Sequence, residues 1–299
     1  MSLNDSKISQ VNNYRLKEKF INSFLIITIF ENINTRFMKN FKYLLITVLL
    51  LSISCKNAVK NKETKIAEIT IKEKSETSYT KISPVSHATA VIQFNEITMY
   101  LDPTGGAEAF ANYEKPNYVL ITDIHGDHMN LKTLESLDLA ETILIAPKAV
   151  ADKLAGLKTK EIISINNGEI KSFTSFTVEA IPMYNLREEA LKFHPKGRGN
   201  GYVLTIGNER IYFSGDTEDI PEMRSLKNID KAFVCMNLPY TMTIDSAIDA
   251  VLEFKPKKIY PYHYRGTEGL SNVSKFKSIL NEKNENIEVI QWNWYPNKN

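Results

Sequence analysis

Cysteine is nearly missing from this chain of 299 residues: only Cys55 and Cys235 are present. A zinc knuckle or a disulfide framework needs four or more at paired spacings, so both are excluded. A surplus of one charge is missing too, because 37 Lys and Arg face 35 Asp and Glu, for a formal net charge of +2. With no basic stripe and no aromatic platform, nothing points to a nucleic-acid partner. A comfortably spanning apolar run is missing as well. The run Tyr43–Leu51 falls short of the about 20 residues that cross a bilayer. There is no internal repeat. Histidine is scarce, and the places of His87, His125, His128, His194 and His263 therefore carry information.

From Met38 the sequence reads "MKNFKYLLITVLLLSISCKN". A basic start, an apolar run and small residues before a cysteine have the layout of a secretory signal. A cysteine directly after the small residues resembles a bacterial lipoprotein signal, with Cys55 as the lipidated residue. Leu51 sits one place further from Cys55 than that pattern has it, and an uncut signal anchor is the alternative. The expected organisation is an upstream segment 1–37 that is not translated, a lipoprotein-type signal peptide 38–55, a polar tether 56–65 and one domain over 66–299. The protein is then held at the bacterial cell envelope by its lipid.

The domain mixes strands and helices. "IAEITIKEK" alternates as a strand does, and "ATAVIQF" and "ITMYLDP" form a hairpin-like pair across Asn95 and Glu96. "YVLIT", "TILIAP", "FTVEAIPMYN", "GYVLTIG", "RIYFSGD", "AFVCM", "KIYPYHY" and "IEVIQW" read as further strands. Helical spacing marks Lys148–Leu157, "SAIDAVLEF" and Val273–Asn281. Hairpins first, then strands alternating with helices, predict one α/β domain with helices outside the sheets.

Residues able to bind metal collect at strand ends: His87, Asp102, Asp123, His125, Asp127, His128, Asp216 and His263. Such ends share one edge of a layered fold. Asp123 and His125 are two apart and point the same way on extended backbone. Gly126 lets the chain turn, so that Asp127 and His128 can face a second point.

In this order these motifs resemble the metallo-β-lactamase superfamily from about residue 66 onward. The family's His-x-His-x-Asp-His motif reads Asp123-Ile124-His125-Gly126-Asp127-His128 here. Its strand-end acid looks like Asp102, its bridging aspartate like Asp216 and its last histidine like His263. "SHATAVI" around His87 is similar to the lactonase-like branch, where the equivalent histidine lies near the metals. The resemblance implies a four-layer αββα sandwich, one or two divalent metal ions, and hydrolysis of an ester, lactone, amide or phosphoester by a metal-bound hydroxide.

Two positions depart from the family: Asp123 stands for its first motif histidine, and Asn185 for its middle one. Both changes fall on one metal position; Asp127, His128, Asp216 and His263 keep the other. Three outcomes compete: one ion in the intact position, a second and harder ion such as Mn²⁺ or Fe²⁺ beside a zinc, or His194 as a replacement ligand. Asp123 is either a ligand or a partner orienting one. Asp102 is expected behind the ligands, Asn185 as a site-lining or structural amide, Asp127 as a group orienting water, and His87 and Tyr240 in the pocket. An extra carboxylate at 123 should make bound water less acidic. The loop "KFHPKGRGNG" (Lys192–Gly201) reads as a flap whose Lys196 and Arg198 hold an anionic small-molecule substrate. Cys235, within a strand, reads as a small buried hydrophobe. The alternative to an enzyme is a degenerate binding protein on the cell surface. N-terminal peptide mapping of the unprocessed protein should find Met38 first; peptides from Met1–Phe37 would refute that start.

Overall fold

The structure is a computed structural model that describes residues 80–296. The upstream segment, the signal with Cys55, the tether and the strand expected at "IAEITIKEK" lie outside the described residues.

The first sheet holds β1 (Lys81–Ser86), β2 (Thr89–Phe94), β3 (Ile97–Leu101), β4 (Tyr118–Leu120), β5 (Ile143–Ala146) and β6 (Glu161–Ser164), side by side in chain order. Its first three strands are antiparallel, and β3 to β6 run parallel. The second sheet contains β7 (Ile170–Ser172), β8 (Phe176–Met183), β9 (Gly199–Ile206), β10 (Glu209–Phe213), β11 (Lys231–Cys235) and β12 (Lys258–Tyr262). A small ribbon of β13 (Arg265–Gly266) and β14 (Gly269–Leu270) follows, and β15 (Glu288–Val289) closes the far edge of the second sheet beside β12. This sheet too is antiparallel from β7 to β10 and parallel from β10 onward.

Side-chain alternation along the strands builds the layers. Ala90, Ile92 and Phe94 face one continuous core with Met99, Leu101, Val178 and Tyr202 of both sheets. Val91, Tyr100 and Val119 point the other way and pack under Leu134 and Val150, which belong to α1 (Leu131–Ser136) and α2 (Lys148–Lys153). After α3 (Pro221–Arg224) come the longer helices α4 (Ile244–Phe254) and α5 (Val273–Lys283). They add Ala247, Ile248, Val251, Phe276 and Leu280 to the main core. The result is the expected αββα sandwich.

The hairpin through Asn95 is as expected, with Asn95 at φ 52°. Other boundaries differ. The helix expected over Lys148–Leu157 stops at Lys153, and the strand in "IEVIQW" is confined to Glu288–Val289. The strands β1, β6 and β7 carry no clear apolar signal because they are partly or wholly exposed. Cys235 is fully buried near the end of β11. Burial pushes its thiol up to about 12, which leaves it inert as a nucleophile at neutral pH.

Parallel register stacks aromatic rings across the second sheet. Phe213, Phe233 and Tyr260 are register partners on β10, β11 and β12, and their rings stack at 4.6 and 4.5 Å. This ladder lies beneath the strand ends that carry Asp216 and His263. Phe233→Ala should cost about 3–5 kcal/mol, read as a lower denaturant midpoint with an unchanged m-value; a loss below 1 kcal/mol would show that the ladder does not hold these strands.

Candidate metal centre

Every expected site residue but Lys196 comes to one end of the sandwich. Asp102 leaves β3, the segment Asp123–His128 leaves β4, Asp216 leaves β10 and His263 leaves β12. His87 sits in the turn between β1 and β2. Among the described residues, His87, Asp102 and His263 are three of the six non-glycine residues with positive φ, at 56°, 42° and 45°. Such backbone costs about 1–3 kcal/mol per residue. Gly215 (φ 61°) makes the last bend before Asp216, and a Cβ there would meet Met183 Sδ at 2.4 Å. Gly126, expected to turn the motif, needs no such freedom: its φ is negative and the space around it is open. The turn is closed instead by the His128 and Met129 amides, which donate to the His125 carbonyl at 3.0 and 2.7 Å.

Asp102 holds the intact half from behind. The Thr122 amide and hydroxyl donate to its two oxygens at 2.8 and 2.6 Å, and Oδ2 lies 2.8 Å from His128 Nδ1. A carboxylate only accepts, so Nδ1 carries the proton and His128 Nε2 presents its lone pair forward. That atom is 3.3 Å from Asp216 Oδ2. His263 Nε2 is 3.3 Å from Asp216 Oδ1 and 3.3 Å from Asp127 Oδ2. His128 Nε2, Asp216 Oδ1 and His263 Nε2 are buried, and none has a hydrogen-bond partner.

Orphaned atoms of this kind need a partner. Tetrahedral ligands about 2.0–2.1 Å from a zinc-sized ion stand about 3.3 Å from one another, so the spacing fits a shared cation. Burial opposes ionisation of Asp216, but His263 and His128 overcome it and hold the carboxyl well below the usual range. Asp127 is likewise held low, by His128, His263 and His87 against its burial. Asp216 and Asp102 raise His128 despite its burial, so without an ion Nε2 holds a second proton, whose place a bound cation would take.

His87 completes this wall. Burial lowers its pKa to about 4, against the pull of Asp127, so it is neutral at pH 7. Its Nε2 is 3.2 Å from Asp127 Oδ2 and its Nδ1 is 2.7 Å from the Tyr295 hydroxyl. A neutral ring can satisfy both only if Nε2–H donates to Asp127 and Tyr295 donates to Nδ1. The ring lies against His263 at a tilt of 38°, with centroids 3.8 Å apart.

The altered half is arranged differently. Asp123, His125 and His194 bring one ligand atom each within 4.8 Å of one another. Arg198 is seated on two of them. Its Nε and Nη2 donate to Asp123 Oδ1 and Oδ2 at 3.1 and 2.9 Å, and Nη2 also reaches His125 Nε2 at 3.4 Å. Asp123 Oδ2 lies 2.7 Å from His125 Nδ1. Asp123 and Arg198 together carry no net charge, like a neutral histidine. The expected loss of water acidity from an extra carboxylate therefore has no basis.

His194 does move to the site, with Nδ1 3.1 Å from the Tyr240 carbonyl and Nε2 3.3 Å from Asp216 Oδ2. Asn185 does not line it. Its amide nitrogen donates to the carbonyls of Ala190 and Tyr240 at 2.9 and 2.7 Å, which ties down the segment that carries His194.

These groups floor a cavity of about 400 Å³, lined also by Phe193, Tyr240, Arg265 and Thr267. The loop Lys192–Gly201 is not a pair of cations over this cavity. Lys196 turns outward to Glu222 Oε1 at 3.1 Å and the Tyr184 hydroxyl at 3.3 Å, and Arg198 is spent on Asp123. The cation on the cavity wall is Arg265, which rests over the Tyr295 ring at 4.9 Å. The sequence shows it directly after "YHY", but without a charge pattern to single it out.

Comparison with known proteins agrees with this geometry. The profile of the β-lactamase superfamily domain matches residues 101–264. A UPF0173 metal-dependent hydrolase of Desulforamulus reducens is 26% identical over 200 residues, 62% of this chain and 84% of that one. Another, of Archaeoglobus fulgidus, is 26% identical over 225 residues, 70% and 94% of the two chains. A crystal structure from Parabacteroides distasonis, of a protein named for metal-dependent hydrolysis, is 35% identical. It covers 71% of this chain and 92% of its own, with a TM-score of 0.63. The metallo hydrolase Igni18 of Ignicoccus hospitalis, 18% identical with a TM-score of 0.61 over 71% of this chain and 94% of that one, shares the fold.

Asp102→Asn should lower metal affinity about 10–100-fold in a chelator competition, with the far-UV spectrum unchanged. Wild-type affinity in that variant would remove Asp102 from the site's support.

Proposed function

Because the chain belongs to the β-lactamase superfamily, we propose that it is a metal-dependent hydrolase of a small anionic ester, lactone, amide or phosphoester, held at the cell envelope through Cys55. One observation carries the reading: three buried, unpartnered polar atoms of His128, Asp216 and His263 converge, and Asp216 and His263 line an open cavity. Asp127, His128, Asp216 and His263 would hold a divalent ion, and their two imidazoles beside two carboxylates suit zinc. When bound, such an ion acidifies water and polarises a carbonyl or phosphoryl oxygen.

The chain's own groups supply the rest. Asp127 has a half-exposed carboxylate, pinned by His87 and His263, and orients the attacking water. His194 donates Nδ1–H to the Tyr240 carbonyl, which only accepts, and so turns Nε2 toward Asp216. There its lone pair can take a proton from the attacking water and pass it to the leaving group. Arg265 faces the cavity and, among the described residues, has no carboxylate in ion-pair contact, so it is available to an anionic substrate. Envelope anchoring rests on the signal-like segment before Cys55 and leaves the domain outside the cytoplasm.

Chelation of the purified protein should abolish ester or phosphodiester turnover, and zinc should restore it; turnover that survives metal removal would end the reading. Arg265→Gln should raise KM for anionic substrates at least about tenfold and spare neutral ones. Equal effects on both would remove the anionic preference.

A further inference from the structure

The two halves of the site differ in one respect: which polar atoms are already satisfied. On the intact side, His128 Nε2, His263 Nε2 and Asp216 Oδ1 are buried without a hydrogen bond. On the altered side every donor atom of Asp123 and His125 is engaged. Both Asp123 oxygens accept from Arg198, His125 Nδ1 sits 2.7 Å from Asp123, and His125 Nε2 faces an Arg198 N–H. We infer that the Arg198 guanidinium replaces an ion at the altered position, so that the chain holds a single divalent ion, between Asp127, His128, Asp216 and His263. This rests on the metal-dependent reading above.

Three physical points support it. The first concerns the His125 ring. A guanidinium only donates, so its contact with Nε2 requires a lone pair there, which puts the proton on Nδ1. Nδ1 then cannot bind an ion, and Nε2 faces the fixed positive charge of the Arg198 guanidinium at 3.4 Å. The second is charge. Arginine does not lose its proton in proteins, and a dication ligated by Asp123 and His125 would sit next to that fixed positive charge in a mostly buried place. The third is how firmly the arginine is placed. Asp123 is fully buried, Arg198 is 17% exposed along its side chain, and Nη2 also donates to the Phe193 carbonyl. Two parallel N–H···O bonds to one carboxylate form the rigid fork that lysine could not make.

His194 then serves the remaining ion from the side. With Nδ1–H fixed on the Tyr240 carbonyl, its Nε2 stands 3.3 Å from Asp216 Oδ2, beside a ligand of that ion.

The test is a metal count on the full-length protein. Demetallated protein is saturated with Co²⁺, freed of excess by desalting and assayed by inductively coupled plasma mass spectrometry and visible absorption. Wild type should retain one Co²⁺ per chain and Arg198→Met two, with a second set of ligand-field bands. Two ions in wild type, or one in a folded Arg198→Met, would overturn the inference while leaving a metal-dependent enzyme. No ion in wild type would overturn the enzyme reading itself. If Arg198→Met does not fold, His125→Ala decides: it should keep one Co²⁺ at wild-type affinity, whereas His263→Ala loses it. Loss of the ion from His125→Ala would refute the assignment.

Discussion

Burying a carboxylate without a cation is among the costliest things a fold can do, and three aspartates are buried at this site. Asp102, Asp123 and Asp216 are 0, 0 and 3% exposed. Each meets the cost in its own way. Asp102 takes two donors from Thr122 and one from His128. Asp123 takes the Arg198 fork. Asp216 has only imidazoles around it, at 3.3 Å and without hydrogen-bonding geometry at Oδ1. Its remaining need is for a cation, and His128, whose tautomer Asp102 sets, and His263 both bring Nε2 to that point.

The fold is built to hold that arrangement against strain. His87, Asp102 and His263 all sit in left-handed backbone, which a free chain leaves readily. They are pinned by bonds between distant segments: the His87 amide donates to the Trp294 carbonyl and the His263 amide to the His87 carbonyl. The two sheets are also stitched together under the motif. The Asn200 amide donates to the Thr122 carbonyl, and the Tyr202 hydroxyl to the Ile121 carbonyl at 2.8 Å. A side chain at Gly199 would press on that same Thr122 carbonyl at 3.0 Å. The glycines near Arg198 thus do more than make a flexible loop: they let the second sheet approach the motif closely enough for Arg198 to reach Asp123.

Local pattern explains what could be read from the sequence. The buried strands are apolar runs, and the metal-capable residues stand immediately after them, so both the layers and the cluster were legible. Pairings across the sandwich were not. Asp123 and Arg198 are 75 residues apart, and Asn185 and Tyr240 are 55 apart; nothing near Arg198 says that it turns inward while Lys196, two residues away, turns outward. Composition suggested two cations in a glycine-rich flap, and the structure divides them between a buried acid and a surface one. Arg265 was missed for the converse reason, since one arginine after a strand has no periodic signature. Exposed strands such as β7 carry no apolar stripe, and their existence depends on the neighbour they pair with.

The departures from the family motif are linked. A lone aspartate at 123 would be a buried, uncompensated charge, which destabilises by several kcal/mol, so Asp123 is tolerable only with Arg198 in place. Asn185 and His194 are tied in the same way. Both donate to the Tyr240 carbonyl, and the Asn185 amide also donates to the carbonyl of His194. The asparagine thereby holds an imidazole where the strand end itself supplies none. Decay of a site leaves orphaned charge and loosened packing on the side that has changed. Here the changed side has Asp123 fully paired and a neutral amide oxygen, Asn185 Oδ1, as its orphan, whereas the orphaned nitrogens and carboxylate oxygen lie on the unchanged side, converging where an ion would satisfy them. That distribution favours a rebuilt working site over a degenerate one.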